Sequence, residues 1–179
     1  SLNEMAVVNA KVRDAVILGV HGPLNYPRQG LVEAVLFGSG RPVLLVPPTA
    51  RPFSGQTILV AWDATRSAVR ALHDALPLLV RVRKVVIASV IDDKVLPAPR
   101  SGEEVCRYLA RWDIDASFDA LERQQQNVGQ DLLSHAQRLD ADLLVMGGFG
   151  HAREREFLFG SVTRDIFQSN LKIPVMLSH

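Results

Sequence analysis

Between residues 56 and 179, short apolar runs rich in β-branched residues alternate with stretches whose apolar positions recur at helical spacing. Few architectures accommodate that alternation. Ile58-Leu-Val-Ala-Trp62 reads as a buried strand, followed by a helical stripe of Ala68, Ala71, Leu72, Ala75, Leu76 and Leu79. Pro77 lies within the stripe, where it shortens or kinks the helix. Lys84–Ile91 is a second strand, and residues 97–102 form a loop. Ser101 and Glu104 have capping-box spacing ahead of a helix containing Val105, Leu109 and Trp112. Residues 115–121 make a third strand, and Asn127 starts a helix through Leu132, Ala136 and Leu139. Residues 141–146, 161–170 and 173–177 then read as strand, helix and strand. Strands separated by helices imply a parallel sheet covered on both faces. Right-handed crossovers make it doubly wound, five-stranded, in the order 3-2-1-4-5.

The first 50 residues are a partial echo of the end of the chain. Asp14-Ala-Val-Ile-Leu-Gly19 resembles Asp142-Leu-Leu-Val-Met-Gly147, Gly22 falls where Gly150 falls, and Pro42-Val-Leu-Leu45 resembles Pro174-Val-Met-Leu177. Residues 1–50 therefore read as the C-terminal remnant of a first unit, in the order helix end, strand, helix, strand. Residues 51–179 are a complete domain, and the Pro- and Gly-rich residues 47–55 are the linker. So short a segment lacks a core of its own, and is expected to lean on the complete domain or on another chain.

Composition narrows the function classes. Hydrophobic residues make up 47% and charged residues 22%, and the net charge is +1. Such a chain has no global field to attract nucleic acid or an anionic membrane. No apolar run approaches the roughly 18 residues of a membrane span. The only cysteine, Cys106, excludes an internal disulfide and reads as a buried thiol. These features favour the cytoplasm.

Residues 146–163 carry the pattern with chemical content. Gly147 and Gly148 follow a strand, Gly150 comes two residues later, and nine residues separate Gly150 from Gly160 before Ser161 opens a helix. Glycines after a strand allow close backbone approach to a ligand. A helix start offers unpaired N–H groups and a positive dipole end, both suited to phosphate. Ser161 and Thr163 add hydroxyl donors. In a doubly wound sheet the ligand crevice lies beyond the carboxyl ends of the strands, where their order reverses. Asp63 would then face Gly147 across it, where it can accept a hydrogen bond from a base or ribose, with the Val90 backbone flanking the base.

Gly147-x2-Gly150-x9-Gly160-Ser161, together with Ile58-Leu-Val-Ala-Trp-Asp63 and Ile173-Pro-Val-Met-Leu177, resembles the ATP-binding universal stress proteins over residues 56–179. The first 50 residues resemble the tail of a second such domain in tandem members. The resemblance implies an adenine nucleotide alpha hydrolase-like fold and ATP as ligand. Asp63 and Val90 would contact adenine, and Met146, Gly147, Phe149 and Gly150 would lie along the ribose and phosphates. Gly160, Ser161, Val162 and Thr163 would wrap the phosphates, with Mg²⁺ bridging them. In the first unit, counting on from Gly22 places Val32 and Glu33 where Gly-Ser is needed, so no phosphate site is expected in residues 19–35.

Plainer roles stand beside these. The glycines also suit a simple turn, and Asp63 also suits a helix cap. His151, Arg153 and Arg155 suit phosphate contact or a solvated loop with Glu154 and Glu156. His73 and His135 read as surface or boundary residues, Trp112 as core, and Trp62 as core or as a border of the base pocket. Three functions compete. One is a nucleotide-binding regulator, with slow ATP hydrolysis at most. Another is a nucleotide-free scaffold dimerising through its last strands, residues 42–46 and 174–177. The third is an adenylating enzyme, which the segment Ala61-Trp-Asp-Ala-Thr-Arg-Ser67 disfavours by lacking the Ser-Gly-Gly-x-Asp-Ser loop.

Overall fold

The computed structural model describes residues 1–91, 101–125, 127–149 and 161–179. The strands are β1 (Val16–Gly19), β2 (Val43–Val46), β3 (Thr57–Ala61), β4 (Lys84–Ile91), β5 (Ala116–Glu122), β6 (Leu143–Gly147) and β7 (Val175–Ser178). The helices are α1 (Leu2–Ala10), α2 (Tyr26–Ser39), α3 (Arg66–Leu79), α4 (Ser101–Ala110), α5 (Val128–Arg138) and α6 (Ser161–Gln168). The seven strands form one sheet in the order β1-β2-β7-β6-β3-β4-β5. Within residues 51–179 this is the expected 3-2-1-4-5 arrangement. The other two strands extend the same sheet, because β2 pairs antiparallel to β7 while every other neighbouring pair is parallel.

The alternation of side chains along each strand divides the core in two. Ile58, Val60, Val85, Ile87, Leu143 and Val145 face Ala71, Leu72 and Leu79 of α3 and Val105 and Leu109 of α4. Leu59, Val86, Leu144, Met146, Val175 and Leu177 face the other way, against Leu132 and Ala136 of α5, Ile166 and Phe167 of α6, and Val32, Val35 and Leu36 of α2. Thus α2 shares a core with α5 and α6, and the N-terminal segment does lean on the complete domain. β7 lies between β6 and β2, and β2 between β7 and β1. The last-strand pairing expected of a dimer is therefore made within one chain, and neither strand offers a free edge to a second copy.

Asp142 ties the sheet to the linker. Its carboxylate accepts the Ser54 N–H at 3.0 Å, the Ser54 hydroxyl at 2.6 Å, the Gln56 N–H at 2.8 Å and the Thr57 N–H at 3.2 Å. Its own amide donates to the Thr57 carbonyl at 2.8 Å. Burial opposes ionisation, but the bonds from Ser54, Gln56 and Thr57 outweigh it and hold the carboxyl below its ordinary range.

Several local expectations are corrected. Gly102 belongs to α4 rather than to a loop, and Ser101 is the first residue of that helix. The Ser101 hydroxyl accepts the Trp62 indole N–H at 3.1 Å, so tertiary contact recruits a side chain that the sequence assigns to a cap. Trp112 is 50% exposed, since it follows the end of α4 in the turn before β5. His135 is buried, its Nε2 2.9 Å from Asp119 Oδ2 and its Nδ1 3.2 Å from an Arg138 guanidinium nitrogen. A charged partner on either side makes burial of this ring tolerable. Cys106 is half-buried, and burial raises its thiol pKa. Pro77 does not end α3, which continues to Leu79. Residues 97–100 of the expected loop lie outside the described residues.

Because the Asp142 carboxyl pKa is lowered in the fold, its stabilisation is complete above the unfolded carboxylate pKa of about 4 and is lost as pH falls through the folded value. Asp142→Asn is expected to cost about 2 kcal/mol at pH 7. Urea unfolding at a series of pH values checks this, and the gap between variant and parent should narrow below about pH 4.

Candidate functional site

The carboxyl ends of β3 and β6 lie side by side, since the two strands pair in parallel with Val60 opposite Val145. The chain leaves β3 through Trp62 and Asp63. The Trp62 amide donates to the Ala88 carbonyl at 2.8 Å, and the Ser89 hydroxyl donates to the Trp62 carbonyl at 2.6 Å. These bonds keep the exit from β3 against β4. Asp63 is exposed, and its carboxylate accepts the Thr65 N–H at 3.0 Å and the Thr65 hydroxyl at 2.6 Å. Thr65, rather than Asp63, is the N-cap of α3, accepting the Ala68 N–H at 3.3 Å. Asp63 therefore orients the cap while its carboxylate stays at the solvent-facing end of β3.

On the β6 side, Gly147 leaves no room for a side chain. A Cβ there would stand 2.6 Å from the Ala68 nitrogen and the Ser67 carbonyl carbon, both backbone atoms at the start of α3. The glycine is thus demanded first by helix packing. Gly148 donates its N–H to the Ser178 carbonyl at 2.7 Å. Phe149 turns the chain with φ +62°, and its N–H donates to the buried Thr163 hydroxyl at 3.1 Å. That bond brings the start of α6 to the glycine turn. Ser161, the first described residue of α6, is exposed there.

The sequence-predicted residues consequently divide. Asp63, Gly147 and Ser161 stand at or beside the carboxyl end of the sheet. Met146 is 2% exposed and belongs to the core, and Val90 and Val162 are half-buried against that core. The ring of Phe149 packs against Phe37 of α2 at 5.0 Å and Phe167 of α6 at 6.3 Å, so ring and amide both have partners within the protein. The Thr163 hydroxyl likewise serves the turn. Gly150, Gly160, His151, Arg153 and Arg155 lie outside the described residues. Ser89 and Thr65 were not singled out from sequence. A hydroxyl residue ending an otherwise apolar strand, and a threonine two positions after an aspartate, are the signals that could have found them.

In residues 19–35 the positions counted on from Gly22 do not fall at a helix start. Val32 and Glu33 are not at a helix start, because α2 begins at Tyr26 behind the Asn25 cap. β1 ends at Gly19 and α2 already begins at Tyr26, so counting from Gly22 lands inside the helix. Burial raises the Glu33 carboxyl pKa there.

The sequence that folds into the strands from β3 to β7 is matched by a family model. The model is that of the universal stress protein family, and it covers residues 55–179. The chain belongs to that family. Among solved structures, a universal stress protein from Archaeoglobus fulgidus DSM 4304 aligns with 98% of the chain at TM-score 0.72 and 16% identity. The chain spans only 64% of that protein. The universal stress protein UspA from Lactobacillus plantarum aligns with 70% of the chain and 98% of its own length, at TM-score 0.57 and 16% identity. A universal stress protein in complex with cAMP aligns with 69% of the chain and 96% of its own length, at TM-score 0.52 and 25% identity. No curated protein matches the sequence. Among the described residues, no helix is long and apolar enough to cross a membrane.

If Gly147 answers to α3, its replacement should weaken the protein without any ligand. Gly147→Ala is expected to cost about 2 kcal/mol, since backbone must move to admit the methyl group. Urea denaturation of nucleotide-free protein measures it. An unchanged midpoint would mean that the glycine is tolerant and is kept for another reason.

Proposed function

We propose that this universal stress protein is a regulatory protein that binds an adenine nucleotide, ATP first, at the carboxyl ends of β3 and β6. One observation carries the reading: the Phe149–Thr163 hydrogen bond holds the start of α6, with Ser161 exposed, to the glycine turn that follows β6. Unpaired N–H groups and the positive end of a helix dipole there favour phosphate. Asp63, exposed one strand away at the end of β3, is placed to accept hydrogen bonds from a base or ribose. The relative solved with cAMP supports adenine nucleotides as the ligand class.

Mg²⁺ fits this reading as a passenger of the phosphates. Among the described residues no group of three or more His, Cys, Asp or Glu side chains forms a metal site. The ion would be held chiefly by phosphate and water oxygens, as is usual for Mg²⁺, and the exposed Ser161 hydroxyl is a chain oxygen that could join them. Bound there, it would neutralise phosphate charge.

Isothermal titration with ATP and Mg²⁺, and separately with cAMP, tests the proposal. Ser161→Glu is the informative variant. A carboxylate in the first turn of a helix suits its dipole, so the fold should keep its thermal midpoint, while phosphate is repelled. ATP affinity is expected to fall at least tenfold, equivalent to about 1.4 kcal/mol. Parent protein that gives neither heat nor thermal shift at millimolar nucleotide would refute the reading. Equal affinity of parent and variant would move the phosphates away from α6.

A further inference from the structure

On the α3–α4 side of the sheet, a groove of about 230 Å³ opens between the two helices. None of Asp63, Gly147 and Ser161 lines it. The helices follow the paired parallel strands β3 and β4, so they run the same way side by side. Two hydrogen bonds bridge the gap. At one end the Trp62 indole N–H donates to the hydroxyl of Ser101, the first residue of α4, at 3.1 Å. Two helical turns further on, about 10 Å along each axis, the Tyr108 hydroxyl lies 3.2 Å from His73 Nε2, with the ring centroids 5.7 Å apart. Between these bridges Leu72 and Val105, 3% and 6% exposed, form the floor. Val69 and Glu104 are exposed at the rim.

The polar atoms of the wall are largely spent on one another. A carbonyl only accepts, so the 3.0 Å contact between His73 Nδ1 and the Val69 carbonyl puts a proton on Nδ1. In the neutral ring Nε2 then accepts the Tyr108 hydroxyl. The single N–H of Trp62 is taken by Ser101. What the groove offers a ligand is therefore aliphatic and aromatic surface beside one carboxylate. Glu104 is that carboxylate, and the described lining residues include no lysine or arginine.

Each ligand class meets this wall differently. An anion is repelled by Glu104. A neutral polar molecule finds few free partners and loses its own bonds to water. A cation with an apolar body is matched throughout, since its body covers Leu72 and Val105 while its charge meets the carboxylate and the aromatic rings. We propose that the groove between α3 and α4 binds a small organic cation, an ammonium group carrying an aromatic or alkyl body. Its volume falls below the roughly 300–1,000 Å³ of drug-sized sites, which sets the ligand at about the size of one substituted ring. Both bridging hydrogen bonds stay in place on binding, so the walls are pre-formed. The site shares no residue with the proposed nucleotide site, and occupancy of one does not require the other.

The probe is benzyltrimethylammonium chloride, titrated into nucleotide-free protein and followed by NMR at the Trp62 indole N–H. Its resonance should shift saturably, with a Kd at or below about 1 mM. Benzenesulfonate, of similar size and opposite charge, should bind at least tenfold more weakly. Glu104→Gln should weaken the cation at least fivefold and leave benzyl alcohol unaffected, while the exposed position of Glu104 keeps the thermal midpoint unchanged. No saturable shift at Trp62 by about 10 mM, a concentration well above that Kd, would overturn the proposal. So would equal affinity for the cation and the sulfonate, or equal affinity of parent and Glu104→Gln for the cation.

Discussion

The carboxylate of Asp142 sets the register of β3 against β6, and the geometry of the opposite end of the sheet depends on it. One residue receives the N–H groups of Ser54, Gln56 and Thr57 and returns its own amide to Thr57. Because a register slip moves every side chain to the other face, a clamp at the amino ends decides which residues emerge at the carboxyl ends. Asp63 and Gly147 come to adjacent strand ends for that reason. The same carboxylate holds the linker, so residues 1–50 are attached to the domain through polar bonds as well as through β2 and β7.

At the carboxyl end, most of the structure near the glycine turn serves packing before it serves any ligand. Gly147 makes way for α3, Phe149 joins α2 to α6, and Thr163 receives an amide. Among the described residues there, Asp63 and Ser161 are exposed. A site made by rigid packing around two strand ends suits recognition, because its polar groups are held in place by partners that do not touch the ligand. The buried Ser178 hydroxyl, which has no hydrogen-bond partner among the described residues, sits opposite Gly147 in the same region.

The sheet is continuous from β1 to β5 because β2 pairs antiparallel with β7, whereas strands joined through right-handed crossovers are parallel. That junction relates β1–β2 to β6–β7 as two copies facing opposite ways. The copies share sequence but not surroundings: the β6 side is covered and the β1 side is open. Like residues stand at unlike exposures, Ile17 at 69% against a fully buried Val145 and Met5 at 66% against a buried Leu133.

Strand and helix order, the parallel sheet from residue 57 onward, the repeat between residues 14–19 and 142–147, and the glycine turn before Ser161 were legible in sequence. Each follows from local periodicity or from residue types that restrict the backbone. Neighbours from distant parts of the chain decided the rest. The Trp62 indole turned Ser101 from a cap into an acceptor, and Asp119 and Arg138 made a buried position acceptable to His135. The short turn after β1 placed Glu33 inside α2, and the approach of α3 gave Gly147 a packing role before any ligand role. Local pattern determines which element a residue joins. Only the packed structure determines which of its atoms are already taken, because hydrogen bonds and close contacts between elements depend on their placement in space and leave no period in the sequence.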